Sequence, residues 1–226
     1  MLYWRHMKPL FRDKHVAHDP VWHVQLAMLV AIGLQLALPD TFSPGARYAI
    51  PVAELLLLGL LSYTTPRLRV FKSRVRRLNV LLLIGITGLA NAYSLGVITN
   101  RLLSGEHVSN GQALIFAAIN IFVTNIIVFG LWYWEMDGGG PGERQHIAKY
   151  EQDFLFPQHR HEDYKHPDWK PLFVDYLYVA ATNAMTFGPA DTKPLSRRAK
   201  MLMLLQSTIS LIVVALVAAR AVGILN

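Results

Sequence analysis

The sequence predicts an all-α, polytopic membrane protein: about five spans plus one short re-entrant pore-like helix, or six spans if that helix crosses. Three observations predict it. First, the 226-residue chain is 53% hydrophobic and 16% charged. Its apolar residues fall in continuous runs near the roughly 20 residues that a helix needs to cross a hydrocarbon core of about 30 Å. A spanning β-barrel would instead alternate apolar and polar over segments of about ten residues. Second, the runs end at strong helix breakers, Pro39-Asp40, Pro66 and Asp137-Gly138-Gly139-Gly140-Pro141-Gly142. Third, one apolar run, 172–187, is short. At 1.5 Å per residue it covers about 24 Å, less than the core it would have to cross.

The elements follow in order. Residues 1–20 are polar, with Arg5, Lys8, Arg12, Lys14 and several His. No short apolar core with a cleavage site precedes the first span, so that span itself is expected to direct insertion. The spans are expected at Val21–Leu38, from Ala49 to Tyr63 or Thr65, at Leu78–Ile98 and at Gln112–Trp134. A long polar loop, 137–170, comes next, then the short helix 172–187 and a final span, Met201–Ala219. The chain thus divides into a polar N-terminus (1–20), an N-terminal membrane region (21–111) and a C-terminal unit (112–226). Trp132, Tyr133 and Trp134 read as an aromatic belt at the membrane surface.

Orientation is read from Lys and Arg in short loops. Arg67, Arg69, Lys72, Arg74, Arg76 and Arg77 crowd the loop after the second run, whereas 40–48 and 99–111 hold only Arg47 and Arg101. The N-terminus, the 66–77 loop and 137–170 are therefore expected in the cytoplasm. The net charge of +7 is explained by these flanking residues and by anionic lipid, so no nucleic-acid partner is expected.

The segment Thr186-Phe187-Gly188-Pro189-Ala190-Asp191-Thr192-Lys193-Pro194 has the spacing T-V-G-Y-G-D-x-x-P. Thr186, Gly188, Asp191 and Pro194 coincide with that pattern. Residues 112–223 thereby resemble the pore domain of tetrameric potassium channels: outer helix, long loop, pore helix, filter and inner helix. Asp175-Tyr176-Leu177-Tyr178 through Met185-Thr186-Phe187, with Asp191-Thr192 and Arg198, is also similar to bacterial multi-pass membrane families that carry no assigned activity. The channel resemblance implies a homotetramer, because one chain supplies one quadrant of a filter, and it implies inorganic cations as the ligand. The bacterial resemblance implies the inner membrane. Thr182, Thr186, Phe187, Gly188, Pro189, Ala190 and Asp191 would line the narrowest part.

The filter departs from the channel pattern. Pro189 has φ fixed near −65° and no N–H, Ala190 resists the left-handed angles that a second Gly would adopt, and Phe187 is bulkier than Val. Four stacked rings of carbonyls, which replace the hydration shell of a potassium ion, are not expected, and selectivity would be non-standard. The same residues also suit a plain inter-helix turn, with Gly188-Pro189 ending one helix and Asp191 or Ser196 capping the next. There is a further tension. In channels the filter opens outside, but the charge rule puts both ends of a re-entrant 172–194 segment inside. Either the segment crosses, giving six spans, or the unit is inverted relative to channels.

Other polar residues complete the reading. Glu54 is an acid inside a span, where such residues default to functional hypotheses; near a span end, it could also snorkel or pair with Arg47. Asn91 with Ser94, and Asn120 with Thr124, have the spacing for interhelical hydrogen bonds. His15, His18 and His23, with His159, His161 and His166, are weak candidates for a zinc or iron site. There is no His-His pair, and with no cysteine thiolate chemistry is excluded. No enzyme activity and no cofactor are expected. The expected function is passive cation passage. The alternatives are a non-conducting membrane scaffold or regulatory protein, and a His-dependent metal enzyme.

Overall fold

The computed structural model describes residues 21–39, 42, 48–67, 74–104, 111–141, 143–144, 152–159, 169–188 and 191–225. Among these the chain forms helices α1 (Val21–Ala37), α2 (Ala49–Arg67), α3 (Arg74–Leu103), α4 (Gly111–Met136), α5 (Phe173–Thr186) and α6 (Arg197–Leu225), with two-residue strands β1 (Phe154–Leu155) and β2 (Lys193–Pro194). Three helical stretches, Arg76–Leu103, Gly111–Gly139 and Arg197–Arg220, are long and apolar enough to cross a membrane; Trp22–Ala37 and Ala49–Tyr63 are shorter apolar helices.

Four of the helices, α2, α3, α4 and α6, run beyond the apolar runs that predict them at one or both ends. The 78–98 run becomes Arg74–Leu103 and the 201–219 run becomes Arg197–Leu225. Hydropathy marks the part of a helix in lipid, but the backbone hydrogen-bond ladder continues into the polar flanks wherever nothing breaks it. Pro66 lies inside α2, one residue before its end, because a last-turn proline disturbs few bonds.

Helix α4 is the axis of the bundle and packs against α1, α3, α5 and α6. Its sequence explains this. Leu114, Ala117, Ala118 and Ile121 bury one end against Leu95, Ile98 and Val213, and Ile127, Val128, Phe129 and Leu131 bury the other in the main core. On the outer helices the exposed residues are large and apolar, among them Leu26, Leu29, Leu56, Leu60, Leu82, Leu89, Leu204 and Leu211. A surface of that kind is the signature of a protein whose solvent is lipid.

Helices α4 and α6 are antiparallel. Asn125 Nδ2 donates to Ser210 Oγ at 3.0 Å, while Leu114, nearer the start of α4, packs by Leu216 and Val217 nearer the end of α6. Both flanks of α5 are held at the C-terminal end of α4. On the leading side, the Phe173 ring meets Trp134 edge-on at 6.2 Å, and Tyr176 donates its hydroxyl to Asp137. On the trailing side, β2 pairs antiparallel with β1, Phe154 opposite Pro194 and Leu155 opposite Lys193. Ser196 then caps α6 by accepting from Ala199 N at 3.1 Å, as the turn reading expects.

Basic residues gather at that same end. Arg67 closes α2, Arg74, Arg76 and Arg77 open α3, Arg144 follows α4, Lys170 precedes α5, and Lys193, Arg197, Arg198 and Lys200 surround the start of α6. Among the described residues the other end has only Arg101 and Arg220.

Candidate functional site

The candidate site is the short helix α5 with the turn behind it. Fourteen residues make α5, about 21 Å of helix. Asp175 fixes its start: the carboxylate accepts from Leu172 N at 2.7 Å, and an acid in the first turn also complements the helix dipole. Close packing against α4 needs Gly130. A Cβ there would lie 3.1 Å from Leu177 Cα and 3.2 Å from its Cδ1.

A polar seam joins α5 to its neighbours. Gln206 is fully buried at its centre. Its Oε1 accepts from Tyr133 Oη at 2.6 Å and Asn183 Nδ2 at 2.8 Å, and its Nε2 donates to Ala180 O at 2.8 Å. Asn183 Nδ2 also donates to Met203 O at 3.0 Å, and Ser207 Oγ donates to Asn183 Oδ1 at 3.2 Å. Gln206 is nine residues beyond the start of α6, about 14 Å along its axis. Measured from Met201, where the apolar run of α6 begins, the seam lies five residues in, about 8 Å along the axis.

The loop after α4 anchors both flanks. Gly138, Gly139 and Gly140 adopt φ of 59°, 82° and 99°, which a residue without Cβ reaches freely. They fold the chain back over the C-terminus of α4, so that a Cβ on Gly140 would lie 3.1 Å from Glu135 O. Arg144 then donates Nη1 to Trp134 O at 2.9 Å, supplying charge and donors where a helix leaves its last carbonyls open. Its guanidinium also sits 4.9 Å over the Tyr176 ring. Asp137, with no exposure, accepts from Asp153 N at 2.6 Å, Phe154 N at 3.3 Å and Tyr176 Oη. Buried Glu135 meets Arg76 at 3.4 Å, tying the start of α3 to the end of α4.

At the turn, Thr182 Oγ1 donates within α5, 3.0 Å from both Tyr178 O and Val179 O. Thr186 Oγ1 lies 2.7 Å from Thr182 O and 2.8 Å from Gly188 O. Phe187 ends the helix in the left-handed region at φ 56° and is exposed, as is Asp191. Pro189 and Ala190 lie outside the described residues.

The other sequence candidates divide. Asn91 Nδ2 donates to Ile121 O at 3.2 Å, an interhelical bond of the expected kind. Asn120 and Thr124 are buried, with Asn120 Nδ2 unsatisfied by any hydrogen bond. Glu54 does not snorkel: it is fully buried, bonded to Thr87 at 2.7 Å and Gln35 at 3.1 Å. His15, His18, His161 and His166 lie outside the described residues, as does Arg47. His159 closes a 3-10 turn, Pro157–His159, and its side chain is likewise outside them. Among the described residues no group of three or more His, Asp or Glu could hold a metal.

Two expectations are corrected. Tyr133 and Trp134 are not a surface belt, since both are buried in the core. Their stripe of α4 is covered by α5 and by the loop, with the Phe154 ring 5.1 Å from Tyr133. The 137–170 stretch is not wholly polar either, for Phe154 and Phe156 are buried, and Phe156 packs on Tyr176 and Trp169.

Compared with protein-family models, with curated proteins and with solved structures, the chain finds no match in any of the three.

Proposed function

We propose that this is a channel-like membrane protein with five crossings, α1–α4 and α6, and that α5 re-enters from the basic end as a pore helix does. The observation that carries the reading is that both flanks of α5 are tied to one end of α4, while its body reaches into the bundle as far as the buried Gln206 seam. Irregular backbone inside a membrane survives only where protein buries it or where it lines a wet cavity, and on this reading the backbone that follows α5 is of that kind. By the positive-inside rule, the basic end faces the cytoplasm. The unit is then inverted relative to potassium channels, with its mouth inside.

The activity that follows is passive cation passage through a homotetramer in the inner membrane. Asp191 is exposed at the mouth, where a ring of acids would concentrate cations. The altered filter residues argue against potassium selectivity. In proteoliposomes carrying a fluorescent cation reporter, the protein should pass monovalent cations. Asp191→Asn should lower the flux about tenfold or more and Thr186→Ala should change the relative permeabilities, while a mass measurement in nanodiscs gives a tetramer. A monomer with no flux for any cation at any imposed voltage contradicts the reading.

One observation favours a second reading, a non-conducting scaffold. The Thr182 and Thr186 hydroxyls are engaged by backbone of their own segment, and left-handed Phe187 interrupts any run of stacked carbonyls. A sealed assembly, stable but silent in the flux assay, is what this reading predicts.

A further inference from the structure

The first three helices enclose a carboxyl that the pore reading does not use. Glu54 has 0% exposure. It sits five residues into α2, yet Thr87, its partner, lies thirteen residues from the start of α3, about 20 Å from the basic end. Its depth is therefore near the middle of the bundle. Thr87 Oγ1 donates to Glu54 Oε1 at 2.7 Å, and Gln35 Nε2 donates to the same oxygen at 3.1 Å. The second oxygen, Oε2, is buried with no hydrogen-bond partner.

The neighbouring elements supply no counter-charge among the described residues. On α3 the nearest titratable side chains are exposed Tyr93, six residues from Thr87, then Arg77 and Arg76, ten and eleven residues back. Helix α1 carries only His23, twelve residues from Gln35, and α2 ends at Arg67, thirteen residues from Glu54. Helix α4, packed on α1 and α3, has its only ionisable side chains in Tyr133 and Glu135, committed to Gln206 and Arg76 respectively. An isolated buried carboxylate is far costlier than a neutral carboxyl with one unsatisfied oxygen.

We propose that Glu54 is an intramembrane proton-binding site, with the proton on Oε2 and with Thr87 and Gln35 fixing Oε1. The ligand is H⁺, bound reversibly, and the site is independent of ion passage at the 186–191 turn. Three helices converge on it, so its charge state is coupled to how α1, α2 and α3 pack.

Infrared difference spectroscopy of the full-length protein in nanodiscs tests this. Wild type minus Glu54→Gln, at neutral pH, should show the C=O stretch of a protonated carboxyl, shifted down in D₂O and replaced by a carboxylate band in alkali. Glu54→Asp should restore the carboxyl band at a displaced frequency. Thr87→Val removes a hydrogen bond to the carbonyl oxygen Oε1, so it should move the carboxyl C=O stretch to higher frequency. A carboxylate band at neutral pH overturns the proposal, and so does one that responds to sodium, which would make the ligand a metal cation. If Glu54→Gln does not fold, the wild-type band and its displacement in Thr87→Val decide the matter.

Discussion

The two halves of the molecule bury polar groups differently. Among the described residues of α1–α3 they are separate: Glu54 with its two donors, Asn79 Nδ2 donating to Leu57 O at 3.1 Å, and Arg76 and Asn91 each reaching α4 alone. In α4–α6 they are joined. Gln206, Asn183, Tyr133, Asn125 and Ser210 link three helices, and Asp137, Arg144, Asp153 and Tyr176 link the loop to α4 and α5. The physical reason is the length of α5. A helix that crosses the membrane can present its unsatisfied terminal groups to water or headgroups, whereas one that stops midway must find partners inside. Thr186, folded back on the last carbonyls of α5, and the Gln206 seam beside it are those partners. On the re-entrant reading proposed above, the seam is what a 14-residue helix needs in order to end inside the bundle.

That contrast can be broken most severely at Asp137. Asp137→Ala strips two backbone N–H groups and the Tyr176 hydroxyl of their acceptor and removes one of the two carboxyl groups, with Glu135, that offset the Arg144 charge. A loss of about 3–5 kcal/mol is expected, enough to undock α5. Thermal unfolding in detergent micelles, followed by tryptophan fluorescence, reads it through Trp134 and Trp169, which border the site. Gln206→Leu comes next. Three side-chain bonds vanish, and at roughly 0.6 kcal/mol each in a membrane the cost is about 2 kcal/mol in the same assay.

Gly130→Ala sharpens the comparison from the packing side. The added methyl meets Leu177 backbone at 3.1 Å, so α4 and α5 must separate, at about 1 kcal/mol or somewhat more. Gly59 and Gly85, in α2 and α3, have open space where their Cβ would stand, and the same substitution there should be neutral or slightly stabilising. The smallest effect is expected from Thr87→Val in the N-terminal half, about 0.6 kcal/mol, because Gln35 still serves Glu54. A large loss from Thr87→Val would show that the N-terminal polar groups also act as a unit.

Much of this was legible in the sequence. Apolar runs locate every described helix, because lipid demands continuous hydrophobicity, and the short 172–187 run stands out for the same reason. Asp175 at the first turn of α5, Ser196 before α6 and Asn91 across α3–α4 follow from local rules. What was hidden depends on contacts distant in sequence. Asp137 reads as a loop residue until Tyr176 comes to it, and Gln206 reads as an ordinary polar residue in a span until Tyr133 and Asn183 meet it. Trp132-Tyr133-Trp134 looks like a belt because composition cannot tell lipid from a neighbouring helix. One missed signal was present: Phe154-Leu155-Phe156 is a short apolar run inside the polar stretch, bounded by Asp153 and Pro157, as a short buried strand is. Glu54 misleads for another reason. Its closeness to a helix end in sequence says nothing about depth, which is set by where α2 begins.

The central claim is that α5 enters and leaves from the same side. The chain has no cysteine, so single replacements give a clean background for a membrane-impermeant maleimide. Lys170→Cys and Arg198→Cys flank the α5 segment, both at exposed positions, and Asn100→Cys is exposed at the far end of α3. In spheroplasts and inverted vesicles, Lys170→Cys and Arg198→Cys should both label from the cytoplasmic side and Asn100→Cys from the opposite side. Labelling of Lys170→Cys and Arg198→Cys from opposite sides would make α5 a sixth crossing and contradict the re-entrant account.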